Sequence, residues 1–263
     1  MRRRLAVSRA QAADLIGAGR VHVSGAVADK ASRLVDPAEP IWVPGPPSRF
    51  VGRGGEKLDA ALTHFAVGPE GLRVLDAGAS TGGFTDCLLQ RGAKTVCAVD
   101  VGRGQIHERL RHHPRVEVHE RTDIRAVGLA DVGGAPFDLV VADLSFISLR
   151  TVAAALVGLA RPGGDIVVLI KPQFEAGRRE ASRGKGVIRD PGVWRQALVG
   201  VIAAFEAAGA AMMGVMVSPL RGADGNVEFL AHLRPGFDAT TPRCEPGLDL
   251  EHVLAEAAGE QEP

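Results

Sequence analysis

The chain has no tyrosine, only 4% aromatic residues and three cysteines among its 263 residues. Cys87, Cys97 and Cys244 are too few and too scattered for a disulfide framework or a zinc site, so we expect them to act as small buried hydrophobic residues. No apolar run approaches the roughly 20 residues of a membrane-spanning helix. The first residues also lack the apolar stretch of a secretory signal, because polar and basic side chains occur among them from the start. These absences favour a cytoplasmic protein without a membrane segment.

The remaining composition is that of a globular protein, with 46% hydrophobic and 24% charged residues. The length favours one large domain with a small appendage. The stretch PGPPSR at 44–49 is too rich in proline for regular structure and marks a break. We therefore expect a small domain over 1–45, a linker over 46–53 and a larger domain over 54–263.

The small domain has the pattern of a short helix followed by β-structure. Ser8 and Gln11 form a capping-box start, and glycines end the helix after residue 16. Residues 20–29 predict two strands joined by a Ser24-Gly25 turn, and Ile41 to Val43 form a possible third strand.

Charge is distributed unevenly, although the net charge is zero. Residues 1–33 contain seven basic and two acidic side chains, and a second basic stretch covers 177–195. Either stretch alone is compatible with an ordinary solvated surface. Together they suggest an extended track for a polyanion such as RNA.

Strands and helices alternate in the larger domain. This pattern predicts a mostly parallel sheet with helices on both faces. Residues 218–226 are too few for a crossover helix, so the last two strands must form an antiparallel hairpin. The predicted strands are 73–76, 94–100, 115–119, 137–143, 165–171, 211–218 and 227–233, and the main helices are 54–67, 83–91, 150–160 and 192–208.

A glycine-rich turn, DAGASTGGFT at 76–85, follows the first of these strands and leads into a helix. Glycines let the backbone approach a ligand closely, and the helix start presents unpaired amides. Such turns also occur in α/β proteins that bind nothing. However, Asp100 ends the next strand 24 residues after Asp76, where an acid can hold a ribose hydroxyl pair. The combination predicts a nucleotide site.

These features resemble the class I S-adenosylmethionine-dependent methyltransferases. The closer resemblance is to the TlyA (haemolysin A) family of ribosomal RNA 2′-O-methyltransferases, whose amino-terminal region is an S-four RNA-binding domain. That family usually has one more helix before the position of Ser8, so we expect the small domain to lack its first helix. The motifs that carry the resemblance are RGGEKL at 53–58, DAGASTGGFT at 76–85, VDVGRGQ at 99–105, FDLVVADLSFISL at 137–149, IKPQFEAG at 170–177 and GNVEF at 225–229.

The resemblance implies methyl transfer from S-adenosylmethionine to a ribose 2′-hydroxyl of ribosomal RNA, with cytidine as the expected nucleotide. It assigns catalysis to Lys57, Asp143, Lys171 and Glu228. Lys57 lies on the predicted helix 54–67 and the others lie at strand ends, so the fold can bring all four together. The expected cofactor-binding residues are Asp76, Gly78, Ser80, Thr81, Gly82, Gly83, Phe84, Asp100, Asp123 and Asp143. The expected RNA-binding residues are Arg2, Arg3, Arg4, Ser8, Arg9, Gln11, Arg20, Lys30, Arg53, Arg183 and Lys185, and no metal is expected.

The sequence is compatible with a second interpretation for several of these assignments. Asp123 fits either an adenine partner or an acidic helix cap, and Phe84 fits either the cofactor pocket or the core. Trp194 and Phe174 could stack on RNA bases, yet Trp194 equally fits a helix core. The histidines show no metal-ligand spacing with carboxylates or cysteines. The charge state of Lys171 is open, because burial and Lys57 oppose the two carboxylates.

Three other functions compete with the ribosomal RNA methyltransferase. A membrane-active haemolysin would need an exposed apolar or amphipathic insertion segment, and the sequence outside the expected core offers none. A non-catalytic RNA-binding protein would be favoured by loss of any of the four catalytic residues, and all four are present. A methyltransferase for a small molecule or a protein would leave the basic amino-terminal region without a role.

Overall fold

The computed structural model describes residues 5–6, 9–44, 48–177, 186–222, 224–236 and 249–259. The amino-terminal part consists of helix α1 (Arg9–Gly17) and a three-stranded antiparallel sheet. Its strands are β1 (His22–Val23), β2 (Ala26–Val27) and β3 (Ile41–Trp42), in the order β2-β1-β3. The hairpin and the third strand are thus confirmed. Whether the domain lacks a further helix, and whether its boundaries lie at 45 and 53, stay predictions.

The larger part contains a seven-stranded sheet in the order β6-β5-β4-β7-β8-β10-β9. Strand β10 runs antiparallel to both of its neighbours, whereas β4 to β8 pair in parallel. The predicted sheet with one reversed strand is therefore confirmed. The strands are β4 (Arg73–Ala77), β5 (Thr95–Asp100), β6 (Val116–Glu120), β7 (Phe137–Ala142), β8 (Ala160–Ile170), β9 (Ala210–Val217) and β10 (Phe229–Pro235).

Helices cover both faces of this sheet. One buried cluster packs α2 and α3 against the sheet through Leu58, Leu62 and Leu88. The cluster on the other face contains side chains of α5, α7 and α8, with Trp194 and Phe205 fully buried. The helices are α2 (Gly54–His64), α3 (Gly83–Gln90), α4 (Glu108–Arg111), α5 (Ala153–Leu159), α6 (Pro172–Glu175), α7 (Pro191–Ala207) and α8 (Leu250–Gly259).

Most elements lie within two residues of their predicted bounds, and larger differences occur in α2, in β8 and in α5, which begins at Ala153 instead of residue 150. Helix α2 ends at His64 instead of residue 67, because Ala66 takes a left-handed conformation with φ of 54°. Strand β8 begins at Ala160 instead of residue 165, because a register shift lets Ala160 pair with Phe137 before the regular ladder starts at Asp165.

The topology brings the functional segments to one edge of the sheet. Parallel strands β4, β5, β7 and β8 all end there, and β10 begins there because it runs the opposite way. Phe229 pairs with Ile170, so Glu228 and Lys171 are the next residues beyond that pair. In open α/β sheets, ligands bind outside the carboxyl ends of the strands. The structure thus places the candidate site at this edge.

No helix in the described part of the chain is both long enough and apolar enough to cross a membrane.

We expect Gly55→Ala to lower the free energy of unfolding, because a Cβ at this position would lie 2.4 Å from Cγ of the buried Phe50. Overpacking of this kind costs about 1 to 3 kcal/mol, which exceeds the gain in helix propensity of about 1 kcal/mol. Urea denaturation measures the difference. Gly68→Ala is the matched control, since a Cβ there meets nothing within 4 Å. Equal stability of the two variants would contradict this packing.

Candidate active site

The glycine-rich turn between β4 and α3 is packed tightly from both sides. Gly78 has φ of 84°, and a Cβ there would lie 2.5 Å from the carbonyl oxygen of Asp143. Gly82 has φ of 95°, and a Cβ there would lie 2.3 Å from Cδ1 of Leu110. Only glycine fits both the left-handed backbone and the lack of space. The turn therefore brings the ends of β4 and β7 into contact.

A cleft of about 630 Å³ opens beside this turn. Asp100 is held at its wall by two backbone amides: Ser80 N donates to Oδ2 at 2.7 Å, and Gly102 N donates to Oδ1 at 2.6 Å. A carboxylate has about four acceptor positions, so Asp100 retains acceptors for a pair of hydroxyls. The lining residues are Gly78, Ser80, Val99, Asp100, Val101, Gly102, Gln105, Thr122, Asp123, Ile124, Arg125, Asp143, Leu144, Ser145, Phe146 and Ile147.

The predicted cofactor residues divide into two groups. Gly78, Ser80, Asp100, Asp123 and Asp143 line the cleft. The others form the turn and do not line the cleft. Phe84 is buried in the core cluster next to α2, and this burial favours its interpretation as a core residue. This second group comprises Asp76, Thr81, Gly82, Gly83 and Phe84.

Asp76 lies beneath the turn and is completely buried. Its Oδ2 accepts a hydrogen bond from Thr85 Oγ1 at 2.6 Å, whereas Oδ1 has no hydrogen-bond partner among the described residues. Burial raises the pKa of Asp76 to about 7, and the nearby carboxylates of Asp143 and Asp100 act in the same direction. The buried turn thus contains an acid that titrates near neutrality.

Asp123 is an acidic helix cap, one of its two predicted interpretations, and its role as an adenine partner stays a prediction. Its carboxylate caps the short 3₁₀ helix at Ile124–Ala126 by accepting from Arg125 N, and it also pairs with the Arg125 guanidinium. That side-chain hydrogen bond lowers the pKa of Asp123 to about 2. Because Asp123 also lines the cleft, the cap fixes a charged group there.

Two lysine–carboxylate pairs lie next to the cleft, and one of their members, Asp143, lines it. Lys57, on the first turn of α2, lies 2.5 Å from Glu228, and both side chains are buried. The Lys171 Nζ lies 2.6 Å from Oδ1 of Asp143, in a charge contact whose angles fall outside hydrogen-bond geometry. Lys171 also donates a hydrogen bond to Ser145 Oγ at 2.8 Å.

The two pairs are adjacent. A Cβ on Gly54, one turn before Lys57, would lie 3.6 Å from Oδ2 of Asp143, so the start of α2 abuts the second pair. The register of β8 and β10 places Lys171 beside Glu228 along the sheet edge. The structure therefore brings all four predicted catalytic residues to one place.

Several residues of the site were not singled out from the sequence. Ser145 contacts Lys171, and the ring of Phe146 lies 5.2 Å from that of Phe174. Phe146 is 92% exposed and has φ of 65°, which is uncommon for a residue other than glycine. The motifs containing these residues were recognised, but no sequence pattern distinguishes a loop serine or phenylalanine that contacts the site from one that does not.

The predicted RNA-binding residues are only partly described. Arg20 donates to the carbonyl of Pro44, Arg53 donates to that of Arg221, and Lys30 is exposed. Arg2, Arg3, Arg4, Ser8, Arg183 and Lys185 lie outside the described residues, as do the side chains of Arg9 and Gln11 in α1. Trp194 is fully buried and donates to the carbonyl of Ile188, so it is a helix-core residue.

Asn226 forms hydrogen bonds with two residues of the second basic stretch, 177–195. Its Oδ1 accepts from Ile188 N at 2.9 Å, and its Nδ2 donates to the Gly186 carbonyl at 2.8 Å. Asn226 lies two residues before Glu228, and residue 177 follows shortly after Lys171. Gly186 and Ile188, within the basic stretch 177–195, are therefore held close to the segment that leads into Glu228.

The histidines show no metal-ligand spacing along the sequence, but the sheet places His119 beside two side chains that could ligate a metal. Cys97 on β5 pairs in register with Glu117 on β6, and ligand atoms of Cys97, Glu117 and His119 lie within 4.8 Å of one another. Residue spacing cannot show a contact that depends on strand register. Burial raises the pKa of the Cys97 thiol to about 12, which favours its role as a small core residue. The trio lies in the body of the sheet, not at the strand ends.

We expect stability to fall between about pH 4 and pH 7 because of Asp76. Its pKa is about 7 in the folded state and about 4 in the unfolded chain, so the folded protein binds the extra proton in this interval and loses that advantage as the pH rises. The loss is at most about 4 kcal/mol. Asp76→Asn keeps an acceptor for Thr85 and should remove this pH dependence. Identical pH profiles for both proteins in urea denaturation would contradict the buried acid.

Comparisons with known proteins agree with this geometry. Residues 50–235 match the model of the FtsJ-like methyltransferase family, and residues 2–41 match that of the S4 domain. The chain is 48% identical over 261 residues, 99% of its length and 95% of the relative's, to the "16S/23S rRNA (cytidine-2'-O)-methyltransferase TlyA" of Mycobacterium tuberculosis. It is 39% identical over 226 residues, 86% of its length and 93% of the relative's, to "Hemolysin A" of Brachyspira hyodysenteriae.

A solved structure described as "Putative hemolysin from Streptococcus thermophilus" shares the whole architecture, with a TM-score of 0.81 and 37% identity over 97% of this chain and 92% of that one. The glycine turn, the cleft and the paired lysines and acids lie within the region matched by the methyltransferase model. The chain belongs to the FtsJ-like methyltransferase family, and within it to the group of TlyA proteins, with an S4 domain at its amino terminus.

Proposed function

We propose that this protein transfers a methyl group from S-adenosylmethionine to the 2′-hydroxyl of a cytidine ribose in ribosomal RNA, in the cytoplasm. The observation that carries the proposal is the meeting of two lysine–carboxylate pairs, Lys57–Glu228 and Lys171–Asp143, beside a nucleotide-sized cleft that Asp143 lines. The relatives named as ribosomal RNA methyltransferases support the substrate class.

The cleft fits S-adenosylmethionine in size and chemistry. Asp100 retains acceptors for the ribose hydroxyls, and Gly78 leaves no side chain between the backbone and the cleft. Asp123 presents a fixed carboxylate beside the cleft wall where an adenine amino group would need an acceptor. When bound, the sulfonium supplies an activated methyl group.

The catalytic residues would act mainly by positioning. A ribose hydroxyl has to approach the methyl carbon in line with the bond that breaks, and it has to lose its proton. Positioning of this kind can supply about 7 to 11 kcal/mol of a barrier. Asp143 lines the cleft and contacts Lys171, so this pair joins the donor site to the site of the hydroxyl. Lys57 and Glu228 fix the neighbouring wall.

The surroundings of the site suit RNA. The hydrogen bond from Asn226 to the Gly186 carbonyl holds part of the basic stretch 177–195 close to the segment that leads into Glu228, and its basic side chains would contact phosphates. Phe146 and Phe174 form an aromatic pair beside Lys171, and exposed aromatic rings stack on unpaired bases. The S4 domain adds a second contact with structured RNA.

A non-catalytic RNA-binding protein is the main alternative. It would have no need to retain the four polar side chains in contact. A buried ion pair such as Lys57–Glu228 carries a desolvation cost, so it is weak evidence for a purely structural role. The presence of both pairs beside an open cleft favours the enzyme.

We expect wild-type protein to transfer labelled methyl groups from S-adenosylmethionine to purified ribosomal subunits that lack the modification. Lys171→Ala should lower turnover by about 10²-fold or more, because the hydroxyl loses its positioning group. Cofactor affinity, measured by calorimetry with S-adenosylhomocysteine, should change little, since the ammonium contacts Asp143 and Ser145 next to the cleft. Mapping of the label should locate a cytidine ribose.

The matched control is Lys94→Ala, which removes an exposed lysine outside the site. Unchanged turnover in Lys171→Ala would refute the assignment of Lys171. If cofactor binds but neither subunit is labelled, the substrate is a different molecule.

A further inference from the structure

Ser145 connects the cleft to the lysine next to it. It lies in the loop that follows β7, two residues after Asp143, and it lines the cleft. Its Oγ accepts a hydrogen bond of 2.8 Å from the Nζ of Lys171. One side chain thus contacts both the volume expected for the methyl donor and the group expected to position the hydroxyl.

The Lys171 ammonium has one hydrogen bond and one charge contact, so it retains N–H donors for a substrate. A lysine ammonium has three N–H donors. One acceptor, Ser145 Oγ, lies at 2.8 Å, and the carboxylate of Asp143 lies at 2.6 Å on another side. The hydrogen bond to Ser145 fixes one N–H, and the attraction to Asp143 restricts rotation of the ammonium about that bond. Without Ser145, the ammonium could rotate about its flexible stem while keeping its charge contact with Asp143.

The loop that carries Ser145 is fastened to the segment that carries Lys171. Glu175, at the end of α6, is buried and accepts hydrogen bonds from Ser148 Oγ at 2.5 Å and from Leu149 N at 2.7 Å. Helix α6 begins directly after Lys171. The two segments are therefore joined by a second, buried contact, which fixes how Ser145 and Lys171 face each other.

The loop conformation is also unusual at this point. Phe146, the next residue, has φ of 65°. Residues other than glycine rarely occupy this region, and they do so where the surrounding structure requires it. The left-handed residue lets the chain turn so that Ser145 points to Lys171 while the Phe146 ring remains exposed.

We propose that Ser145 is a positioning residue for methyl transfer: its hydroxyl holds the Lys171 ammonium so that a remaining N–H meets the ribose 2′-hydroxyl beside the methyl donor. This inference rests on the proposed function and adds to it the residue that orients the catalytic lysine. Ser145 takes no part in bond making. Its effect is transmitted through Lys171.

Removal of the hydroxyl should lower the rate without changing cofactor binding. We expect Ser145→Ala to lower kcat for methylation of purified ribosomal subunits by about 10-fold to 100-fold, because small errors in position are costly at this step. KM for S-adenosylmethionine should stay within about 2-fold of wild type. Ser145→Thr keeps the hydroxyl and should recover kcat to within about 3-fold of wild type.

The controls separate positioning from loop stability. Thr151→Val removes a nearby hydroxyl that, among the described residues, donates its hydrogen bond to the Ser148 carbonyl, and should retain wild-type kcat. All variants should unfold at the same urea concentration. Wild-type activity in Ser145→Ala, or equal losses in Ser145→Ala and Ser145→Thr, would overturn the role of Ser145 alone. Absence of methylation by the wild type, with cofactor binding intact, would overturn the proposed function and this inference with it.

Discussion

The site depends on the contact between charges that come from distant parts of the chain. Lys57 and Glu228 are 171 residues apart in sequence, yet their charged atoms lie 2.5 Å apart in a buried setting. Removing two charges from water costs several kcal/mol per ion, and their attraction offsets this only when the geometry is good. The fold must therefore hold α2 and the start of β10 in fixed positions. The other residues of the site are compatible with these fixed positions of α2 and β10.

The reversed strand is what makes this arrangement possible. Strands β4 to β8 run parallel and end at the catalytic edge, and a further strand in the same direction would begin at the opposite edge. Because β10 runs antiparallel to β8, the residue before its first pair, Glu228, lies beside the residue after the last pair, Lys171. The short connection at 218–226 enforces this direction, since it has no room for a crossover helix.

Much of the fold and of the candidate site was predictable from the sequence. The features that were not predictable depend on tertiary contacts. Apolar runs, turn glycines and the length of the last connection predicted the sheet and its reversed strand, because these are local signals. Motif resemblance identified the four polar residues, but not their pairing. That pairing depends on which charges are brought together by the tertiary fold. Ser145 and the contact between Cys97 and His119 were missed for the same reason, since they depend on a loop conformation and on strand register.

The central claim is that the two lysine–carboxylate pairs act as one unit. The most direct test measures single-turnover methylation, with saturating cofactor, for Lys57→Met, Lys171→Met and the double variant, each checked for folding. Residues that act as a unit have strongly non-additive effects, so the double variant should be slower than the slower single variant by no more than about 3-fold. If the two losses multiply instead, the pairs act independently and the account is contradicted.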